Sequence, residues 1–520
     1  MISNGFQPRL PGGNTKIWLL SIVVILGLLG TRFQIQLTSP ENLSPEMSSL
    51  MEISPNYDPN YDSNYGYDPD SNISTNESQL QIEETFAEGV LPIRRFVIVG
   101  GQEISTFDLD EATQCNDKCV DNVECDAWQW QLDNESCHLF KDSNTHPLDI
   151  YQADDNDPRF VVGFIQRRAK VLRSTLSLSS DPDPDDDILS KRVLYILHFH
   201  HEVLPHAYKK IVNEILPSSW QSNMDLVVIT PREIDLDVYG MQATGSSLRN
   251  PFRPRSETSK RGANGHMSLP IARAKFPGYG GYLLVNDDAV LKTWDLNLDA
   301  WFGDRPWGTF APSRYSQQKW VPRQIKTRKP YGPYSWEWWN CDSGSVIENF
   351  NATRSNFDAA LAALNELCTD ESIISMMDAS SLQEFCTNRK DNIVAPFSHG
   401  KTDTLYVPGD DLGTAMSKAM TLFGEHDVFM EIAYPMIYNL LVPREKELEM
   451  PICNARNFLS SLLPYFRISR KEGQELDCPA IHPIKFGNEK SSVYWKGIVE
   501  DQCSTCEWKN ENQTYWEIVD

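Results

Sequence analysis

The eight residues GYLLVNDD, Gly281–Asp288, carry the pattern that predicts the fold of most of this chain. A short apolar run ends abruptly in one asparagine and two acidic residues. Two similar runs precede it, RVLYILHF at 192–199 and MDLVVIT at 224–230, and helical sequence separates the three. Short apolar strands that alternate with helices are typical of a parallel sheet covered on both faces. We therefore predict an α/β domain over residues 192–520.

An acidic pair, Asp287 and Asp288, follows the last of these strands. Ligands of open α/β sheets bind at the carboxyl ends of the strands, so the pair lies where a site is expected. Carboxylates at this position can hold a divalent cation that neutralises the diphosphate of a departing nucleotide. We expect Asp288 to contact the metal and Asp287 to orient the ribose or to support the metal ligands. The alternative is a helix cap or a solvated turn.

The strand with its NDD ending, followed by the aromatic-rich NLDAWFGDRPWGTF at 297–310, resembles the GT-A glycosyltransferases and their DxD-type motif. The resemblance implies a Rossmann-related mixed sheet, a nucleotide-sugar donor as co-substrate, and a divalent metal, Mn or Mg. Asn286 stands where many of these families have the first Asp of the motif, and we expect it to contact the donor.

Two late residues receive roles from the same resemblance. Many GT-A enzymes use a late histidine as a further metal ligand and a late basic residue on the diphosphate. By that resemblance His482 and Lys485, in AIHPIKFG at 480–487, bind the metal and the donor respectively. The alternative is that both are ordinary residues of a surface loop.

A run of histidines ends the first strand. His198 and His200 share one face in strand geometry, whereas His201 does not. We therefore expect the end of this strand, with His200, to line the nucleotide pocket rather than to bind a metal.

Candidate acceptor-side residues lie between these segments. Glu431 interrupts the apolar helical run DVFMEIAYPMIYNLL at 427–441, where a lone carboxylate is costly to bury unless it is paired or functional. It is our candidate for the base that deprotonates the acceptor hydroxyl in an inverting transferase, and the alternative is a satisfied core or capping carboxylate. A second group lies at 336–342. The rings of Trp336, Trp338 and Trp339 would stack on an acceptor sugar or form a core cluster instead, and Asp342 lies beside them in the sequence.

A cysteine-rich segment precedes the large domain. It contains Cys115, Cys119, Cys125 and Cys137 in the pattern C-x3-C-x5-C-x11-C. The first two are four residues apart, which places them on one face of a predicted helix. FVIVGG before this helix and FVVGFI after it are predicted strands. Four cysteines allow three pairings, and the spacing does not choose between them.

This segment resembles the PAN/apple module. There, a helix carries paired cysteines and an Ala-aromatic step follows the third cysteine, here AWQW at 127–130, before a C-x-L strand. The resemblance implies the nested pairs Cys115–Cys137 and Cys119–Cys125. It also implies a module that binds proteins or carbohydrates, and the alternative is a disulfide-stapled spacer.

The remaining organisation follows from composition. The predicted regions are a cytosolic tail at 1–16, a transmembrane signal anchor at 17–37, a disordered acidic stalk at 38–92, the PAN-like module at 93–168, an acidic linker at 169–191 and the large domain at 192–520. The anchor rests on the apolar run IWLLSIVVILGLLG, which follows Arg9 and Lys16. Positive charge before a spanning helix keeps the short tail cytosolic. A cleaved signal peptide is the alternative.

Modification sites and cysteines indicate an oxidising compartment. Asn-x-Ser/Thr sequons occur at Asn42, Asn72, Asn76, Asn134, Asn351 and Asn512, all after the apolar run. Together with eleven cysteines they favour the secretory pathway. A short anchor suits its thinner membranes, so we predict a single-pass type II protein of the Golgi or a neighbouring membrane.

The formal charge of -25 argues against a nucleic-acid binder, because phosphate neutralisation needs clustered Lys and Arg. We therefore expect a membrane-anchored lumenal glycosyltransferase that transfers a sugar from a nucleotide-sugar donor to a glycan or glycoprotein acceptor. The alternative is a non-catalytic surface or secreted protein whose PAN-like module binds carbohydrate or protein. A metal-dependent hydrolase using Asp287 and Asp288 would need a second cluster of ligands.

Overall fold

The structure is a computed structural model in which the chain divides into two units, residues 1–80 and 81–520. The described residues all belong to the second unit: 91–143, 145–153, 157, 159–167, 169–174, 186–200, 211, 215–216, 220, 223–236, 246–253, 264–308, 318–319, 354–375, 386–387, 396–397, 403–446, 448–450, 452–454, 479–482, 489–504 and 516–519. Within these ranges no helix is long and apolar enough to cross a membrane. The predicted tail, anchor and most of the stalk lie outside them.

The first part of the described chain is a small disulfide-linked α+β module. Its strands are β1 (Ile93–Arg94), β2 (Phe96–Gly100), β3 (Gln102–Asp108), β4 (Ala127–Gln131), β5 (Ser136–Lys141), β6 (Leu148–Gln152) and β7 (Phe160–Phe164), and its helix is α1 (Ala112–Asp121). Five strands form one sheet in the order β1-β7-β4-β5-β3. The predicted strands around the cysteine helix are thereby confirmed.

Close packing holds the helix and the sheet of this module together. Cys115 and Cys119 lie on the buried face of α1, as their spacing predicts. The Trp128 ring lies directly over Gly163 of the neighbouring strand, where a Cβ atom would come within 2.5 Å of the ring. Arg167 donates from its guanidinium to the carbonyl groups of Cys119 and Asn122 at the end of α1, which satisfies acceptors that a helix end leaves open.

The rest of the described chain forms the large domain. Its strands are β8 (Val171–Ser174), β9 (Val193–His198), β10 (Met224–Thr230), β11 (Leu248–Arg249), β12 (Phe252–Arg253), β13 (Gly281–Asn286), β14 (Val290–Leu291), β15 (Trp307–Gly308), β16 (Gln318–Lys319), β17 (Pro396–Phe397), β18 (Thr404–Pro408), β19 (Leu448–Glu449), β20 (Ile452–Asn454), β21 (Ala480–His482) and β22 (Trp516–Val519). Its α-helices are α2 (Asp186–Leu189), α3 (Ser268–Lys275), α4 (Leu298–Trp301), α5 (Arg354–Leu367), α6 (Glu371–Ser375), α7 (Asp411–Glu425), α8 (Met430–Leu441) and α9 (Glu489–Gln502).

A mixed sheet is the centre of the large domain. The described strands follow the order β19-β15-β18-β13-β9-β10-β8-β22, with β11 also paired to β10. The three strands predicted from the apolar runs, β9, β10 and β13, are parallel neighbours, whereas β18 and β8 run antiparallel to them. The prediction of an α/β domain with a mixed sheet is confirmed.

Apolar side chains cover both faces of this sheet. Along β9, Leu194 and Ile196 belong to one buried cluster, while Tyr195 and Leu197 belong to the other. This alternation is what the two-residue period of a strand requires when both faces are covered. The first cluster also contains residues of α7, α8 and the small module.

The boundary between the two domains differs from the predicted one. The segment 169–191 was expected to be an acidic linker, yet Val171–Ser174 is a strand of the large sheet and Asp186–Leu189 is helical. Strand β12, from the large domain, pairs with β6 of the module. The Phe252 ring contacts Phe96 and Phe164 at centroid distances of 5.2 Å and 5.6 Å. Aliphatic and aromatic burial across the junction therefore makes the two domains share one core.

Candidate functional site

Polar residues gather at the carboxyl edge of the parallel strands. His198 ends β9 and Asn286 ends β13, and the two are partners in the strand register. The next residue, Asp287, donates its backbone N–H to the carbonyl oxygen of His198 at 2.9 Å. The backbone N–H of Ala289 bonds to the carbonyl of Asn286 at 3.0 Å, which closes a turn that contains Asp287 and Asp288. The acidic pair therefore lies in a turn at the predicted edge.

Three side chains converge beside this turn. His482 Nε2 lies 3.4 Å from Asp288 Oδ2, and His482 Nδ1 lies 3.0 Å from Asp403 Oδ2. One ligand atom of each residue lies within 4.8 Å of the other two. A cation with ligands at about 2.1–2.5 Å holds its ligand atoms about 3–5 Å apart. The spacing of Asp288, Asp403 and His482 thus fits a single divalent ion, and we call these residues the acidic triad.

Backbone pairing brings the acidic triad together from three separate stretches of sequence. Strand β14 pairs antiparallel with β21, so that His482 at the end of β21 comes beside the turn that holds Asp288. Asp403 precedes β18, and its carbonyl accepts the Asn286 N–H at 2.9 Å. The three side chains are 14%, 6% and 15% exposed in the order Asp288, Asp403 and His482. They are mostly shielded from water, yet two of them remain open enough to meet a ligand.

Sequence reasoning missed Asp403 as a member of this group. Asp288 and His482 were both proposed as metal ligands, and the structure brings their side chains together. Asp403 begins the sequence DTLYVPGDD, which is typical of a strand that leads into a polar turn. This pattern gives no local signal that its first residue is a metal ligand. Asn286, the departure from a DxD motif, is buried at the end of β13 and lies directly across from Asp403. An acidic residue absent at position 286 is therefore present on the neighbouring strand.

Two histidines and a methionine surround Gly265 at the same edge. The His198 and His200 rings meet edge to face with centroids 4.5 Å apart, as their shared strand face predicts. A Cβ atom on Gly265 would lie 2.8 Å from Met430 Sδ, 3.0 Å from His198 Cε1 and 3.2 Å from His200 Cε1. A side chain there would require Met430 and the two rings to shift, so glycine allows their close approach.

Glu431 follows Met430 in the first turn of α8. A carboxylate in a first turn interacts favourably with the positive end of the helix dipole. Pro435 lies four residues later and has no N–H to donate to the Glu431 carbonyl, so the helix is irregular near its start. Glu431 is half-buried. Its position is compatible with both interpretations given above, the acceptor base and the capping carboxylate.

Several predicted residues fall outside the described part of the chain. They are His201, Lys485, Trp336, Trp338, Trp339, Asp342 and the sequon residues Asn42, Asn72, Asn76, Asn351 and Asn512. The remaining sequon residue, Asn134, is exposed in the turn between β4 and β5. Its Oδ1 accepts hydrogen bonds from the Ser136 backbone N–H at 3.2 Å and from Ser136 Oγ at 2.7 Å.

Disulfides occur in both domains. Cys115 pairs with Cys137 and Cys119 pairs with Cys125, so the pairing implied by the PAN/apple resemblance is confirmed. In the large domain Cys368 pairs with Cys386, and Cys503 is also disulfide-bonded. The helix α1 is thereby tied to β5 and to the loop that precedes β4.

Comparison with known families gives a match over the small module. The model of the PAN domain matches residues 93–160, which include all four cysteines of the module. Residues 93–160 are therefore a PAN domain, a type of module that binds proteins or carbohydrates. No curated protein matches the chain.

Proposed function

We propose that the large domain is a glycosyltransferase that binds a divalent cation through the acidic triad. The observation that carries this proposal is the convergence of Asp288, Asp403 and His482 at the carboxyl edge of the parallel strands of a mixed sheet. Open α/β sheets bind their ligands at this edge. Two carboxylates and one imidazole form a donor set that suits Mn or Mg better than a soft metal.

The chemistry of the donor explains why such a site is useful. A nucleotide sugar releases a nucleoside diphosphate, and a divalent cation neutralises the negative charge that develops on it. Asn286, Asp287 and His200 lie at the same edge, where we propose that they contact the nucleoside part of the donor. Lys485 follows His482 closely in the sequence and is our candidate for a contact with the diphosphate.

The acceptor side of the proposed reaction needs a base. Glu431 is the second residue of α8, after Met430. Met430 packs at Gly265 beside His198 and His200, which we call the histidine edge. We propose that Glu431 accepts the proton of the attacking hydroxyl. Trp336, Trp338, Trp339 and Asp342 complete the proposal as contacts to a glycan or glycoprotein acceptor.

Compartment and topology belong to the same proposal. Disulfides persist in oxidising compartments, and the pairs Cys115–Cys137, Cys119–Cys125 and Cys368–Cys386 therefore favour the secretory pathway. We propose a Golgi or neighbouring membrane, with residues 17–37 as a type II anchor and the enzyme domain in the lumen. Protection of the chain from protease in intact microsomes, lost on addition of detergent, is the expected result.

A second candidate function rests on the PAN domain itself. A PAN domain binds protein or carbohydrate without any need for catalysis, so the chain could be a binding protein whose large domain is a scaffold. This candidate predicts glycan or protein binding that does not depend on a metal or on the acidic triad.

Binding of UDP and GDP to the purified full-length chain tests the first candidate. We expect saturable binding, measured by calorimetry, that requires Mn and is lost in the Asp288→Asn and Asp403→Asn variants. Asp304→Asn is the matched control, because Asp304 is exposed and pairs with Lys446 rather than with the acidic triad. Absence of any metal-dependent nucleotide binding by a folded chain would contradict the transferase and favour the binding protein.

A further inference from the structure

The PAN domain contacts the large domain through an ionic cluster that reaches toward the candidate site. Glu425, the last residue of α7, accepts the backbone N–H of Arg94 at 3.0 Å, and Arg94 Nε and Nη2 at 3.1 Å and 2.7 Å. Arg95 Nη1 lies 3.4 Å from the same carboxylate. The Glu425 side chain is almost fully buried. One carboxylate of the large domain therefore holds two consecutive arginines of the PAN domain.

Glu366 of α5 completes the ionic cluster. It accepts hydrogen bonds from Arg94, from Arg95 Nη2 at 2.7 Å and from His426 Nε2 at 2.9 Å. Burial alone would raise the pKa of Glu366, but the His426 hydrogen bond and the two arginines hold it well below its ordinary value. Burial lowers the pKa of His426, so this ring is neutral near pH 7 and carries its proton on Nε2. Two cations and two anions balance within the cluster.

The backbone at Arg95 has an uncommon conformation that allows this contact. Consecutive strand residues normally point to opposite faces, yet Arg94 and Arg95 reach the same two carboxylates. Arg95 has φ 65, a left-handed conformation that is uncommon for a residue other than glycine and that interrupts the strand between β1 and β2. Strain of this kind persists where surrounding contacts enforce it, and it accompanies functional positions.

The other side of the cluster leads directly to the candidate site. His426 is the C-cap of α7, Asp427 turns the chain with φ 54°, and α8 begins at Met430. Met430 Sδ packs at Gly265 together with the His198 and His200 rings. Only four residues thus separate Glu425, the carboxylate that holds the PAN domain, from Met430, the side chain that contacts the histidine edge.

A second route connects the same points. Gly424, one residue before Glu425, is so close to the short helix Gly265–Met267 that a Cβ atom there would lie 2.1 Å from Met267 Sδ. The same atom would lie 3.3 Å from His266 Nε2. The end of α7 therefore contacts the PAN domain on one side and packs on the short helix Gly265–Met267 on the other.

We infer that the PAN domain is a positioning element of the candidate site: Arg94 and Arg95, through Glu366 and Glu425, set the place of the α7–α8 corner and hence of Met430 and Glu431. This inference rests on the proposed function for its kinetic consequence. The acidic triad lies on the other elements of the sheet edge and is outside the set of residues that the cluster holds. The PAN domain therefore affects the acceptor side and turnover, and leaves metal binding by the acidic triad in place.

Hydrogen exchange tests the positional claim without reference to activity. In full-length Arg94→Gln/Arg95→Gln we expect faster amide exchange at 426–431 and at 265–267 than in the wild-type chain. Arg159→Gln is the matched control, because Arg159 is an exposed arginine of the PAN domain that pairs with Asp133 and Asp157 of the same domain. If faster exchange were confined to residues 91–100 of the double variant, the inference would be wrong.

Kinetics with the same variants test the functional claim. We expect kcat to fall about 10-fold to 100-fold and the acceptor KM to rise, because a small displacement of a catalytic group has effects of this size. Mn affinity stays within about twofold of wild type, and Arg94→Lys/Arg95→Lys, which retains both charges but cannot reproduce the forked contact of Arg94, recovers only part of the lost turnover. Equal loss of Mn affinity and turnover, or unchanged turnover in a folded variant, would overturn the inference.

A milder variant keeps the test decisive if the double variant fails to fold. His426→Leu removes the Nε2 donor to Glu366 and leaves both arginines paired. We expect a smaller change with the same signature, a lower kcat at unaltered Mn affinity. If the wild-type chain binds no nucleotide with metal, the proposed function fails by itself, while hydrogen exchange at the corner still decides the positional claim.

Discussion

The two ends of the parallel strands use buried carboxylates in opposite ways. At the amino end, the single carboxylate of Asp225 is shared by Arg192, Arg173 and Tyr279. At the carboxyl end, two carboxylates, Asp288 and Asp403, share one imidazole. Counting only these groups, cations exceed anions at the amino end and anions exceed cations at the carboxyl end. The same sheet therefore contains one acid whose charge is compensated by arginines and one pair of acids that we propose binds a cation.

The contacts of Asp225 at the amino end are those of a structural ion pair. Asp225 is fully buried in β10 and accepts Arg192 Nε at 2.8 Å and Nη2 at 2.6 Å, a forked ion pair. Tyr279 donates its hydroxyl to the same carboxylate at 3.0 Å. Arg173 lies opposite Asp225 in the register of β8 and β10. These contacts tie β8 and the loops before β9 and β13 to β10.

The two ends differ in how the charge of their carboxylates is compensated, and this difference separates a structural acid from a functional one. A carboxylate surrounded by arginines has its charge compensated within the fold, and its loss leaves buried cations without a partner. Carboxylates that face each other across a histidine repel each other, and their loss relieves that repulsion. Substitution at the amino end should therefore reduce stability, whereas substitution at the carboxyl end should reduce ligand binding.

The largest expected effect is on stability at the amino end. Asp225→Asn removes the charge with which the buried Arg192 forms its forked ion pair, so we expect a loss of about 3–5 kcal/mol in the free energy of unfolding. Urea denaturation followed by tryptophan fluorescence measures it. Asp304→Asn, at an exposed pair with Lys446, should change the same quantity by less than about 1 kcal/mol. A loss at Asp225 as small as at Asp304 would remove the contrast between the two ends.

The second effect is on binding at the carboxyl end. Asp403→Asn keeps the shape of the side chain but removes one charge, so we expect Mn affinity to fall by at least about 10-fold to 100-fold, since even loss of an outer-shell partner costs this much. The free energy of unfolding without metal should stay equal or rise, because one of two repelling carboxylates is gone. Calorimetric titration with Mn and urea denaturation measure the two quantities. A strong loss of stability with unchanged Mn affinity would make Asp403 a structural acid.

The two ends were not equally visible in the sequence. The strand run GYLLVNDD predicted a site at the carboxyl edge, and that reasoning reached Asp288 because a parallel strand ends there. Asp403 comes before its strand, and a residue before a parallel strand lies at the opposite edge. It reaches the site because β18 runs antiparallel to β13. Apolar periodicity predicts that a strand exists and does not give its direction, so this ligand required the three-dimensional pairing.

The PAN domain shows the same division between local and non-local information. Its helix, its strands and its cysteine pairs follow from local spacing and from a family resemblance. The strand Val171–Ser174 was predicted as linker, because four residues beside an acidic low-complexity run carry too little pattern. Its place in the sheet depends on pairing with β10 and β22, which are distant in the sequence. The cluster of Arg94, Arg95, Glu366 and Glu425 likewise had no local signal.

Asp427, in the turn after α7, adds a fourth carboxylate to this comparison. Burial raises its pKa to about 7. The folded chain therefore keeps a proton that the unfolded chain has already released above about pH 4. Stability due to this group is present at low pH and declines as the pH rises from about 4 to about 7. Asp427→Asn should remove that decline and raise the free energy of unfolding at pH 8 by about 1–3 kcal/mol, a range reduced because the residue is partly exposed.

Urea denaturation at pH 5 and pH 8 measures this effect. Asparagine tolerates the left-handed backbone at this position, where φ is 54, so the substitution changes the charge and leaves the turn intact. Asp427→Gly, which also lacks the carboxyl group and adopts the left-handed backbone freely, should lose the same dependence on pH. If the wild-type and Asp427→Asn chains showed the same dependence on pH, ionisation of Asp427 would have no part in stability.

The smallest expected effect concerns the hydroxyl of Tyr279. Burial and the nearby charge of Asp225 raise the pKa of Tyr279, so the phenol stays protonated and donates to the carboxylate throughout the ordinary pH range. Tyr279→Phe removes this donor and leaves both arginine contacts, so we expect a loss of about 1–2 kcal/mol in the free energy of unfolding, less than for Asp225→Asn. In the Asp225→Asn background the same substitution should cost less, because the acceptor has lost its charge. A double-mutant cycle by urea denaturation measures the coupling, and strictly additive losses would show that Tyr279 stabilises the amino end by packing rather than through the carboxylate.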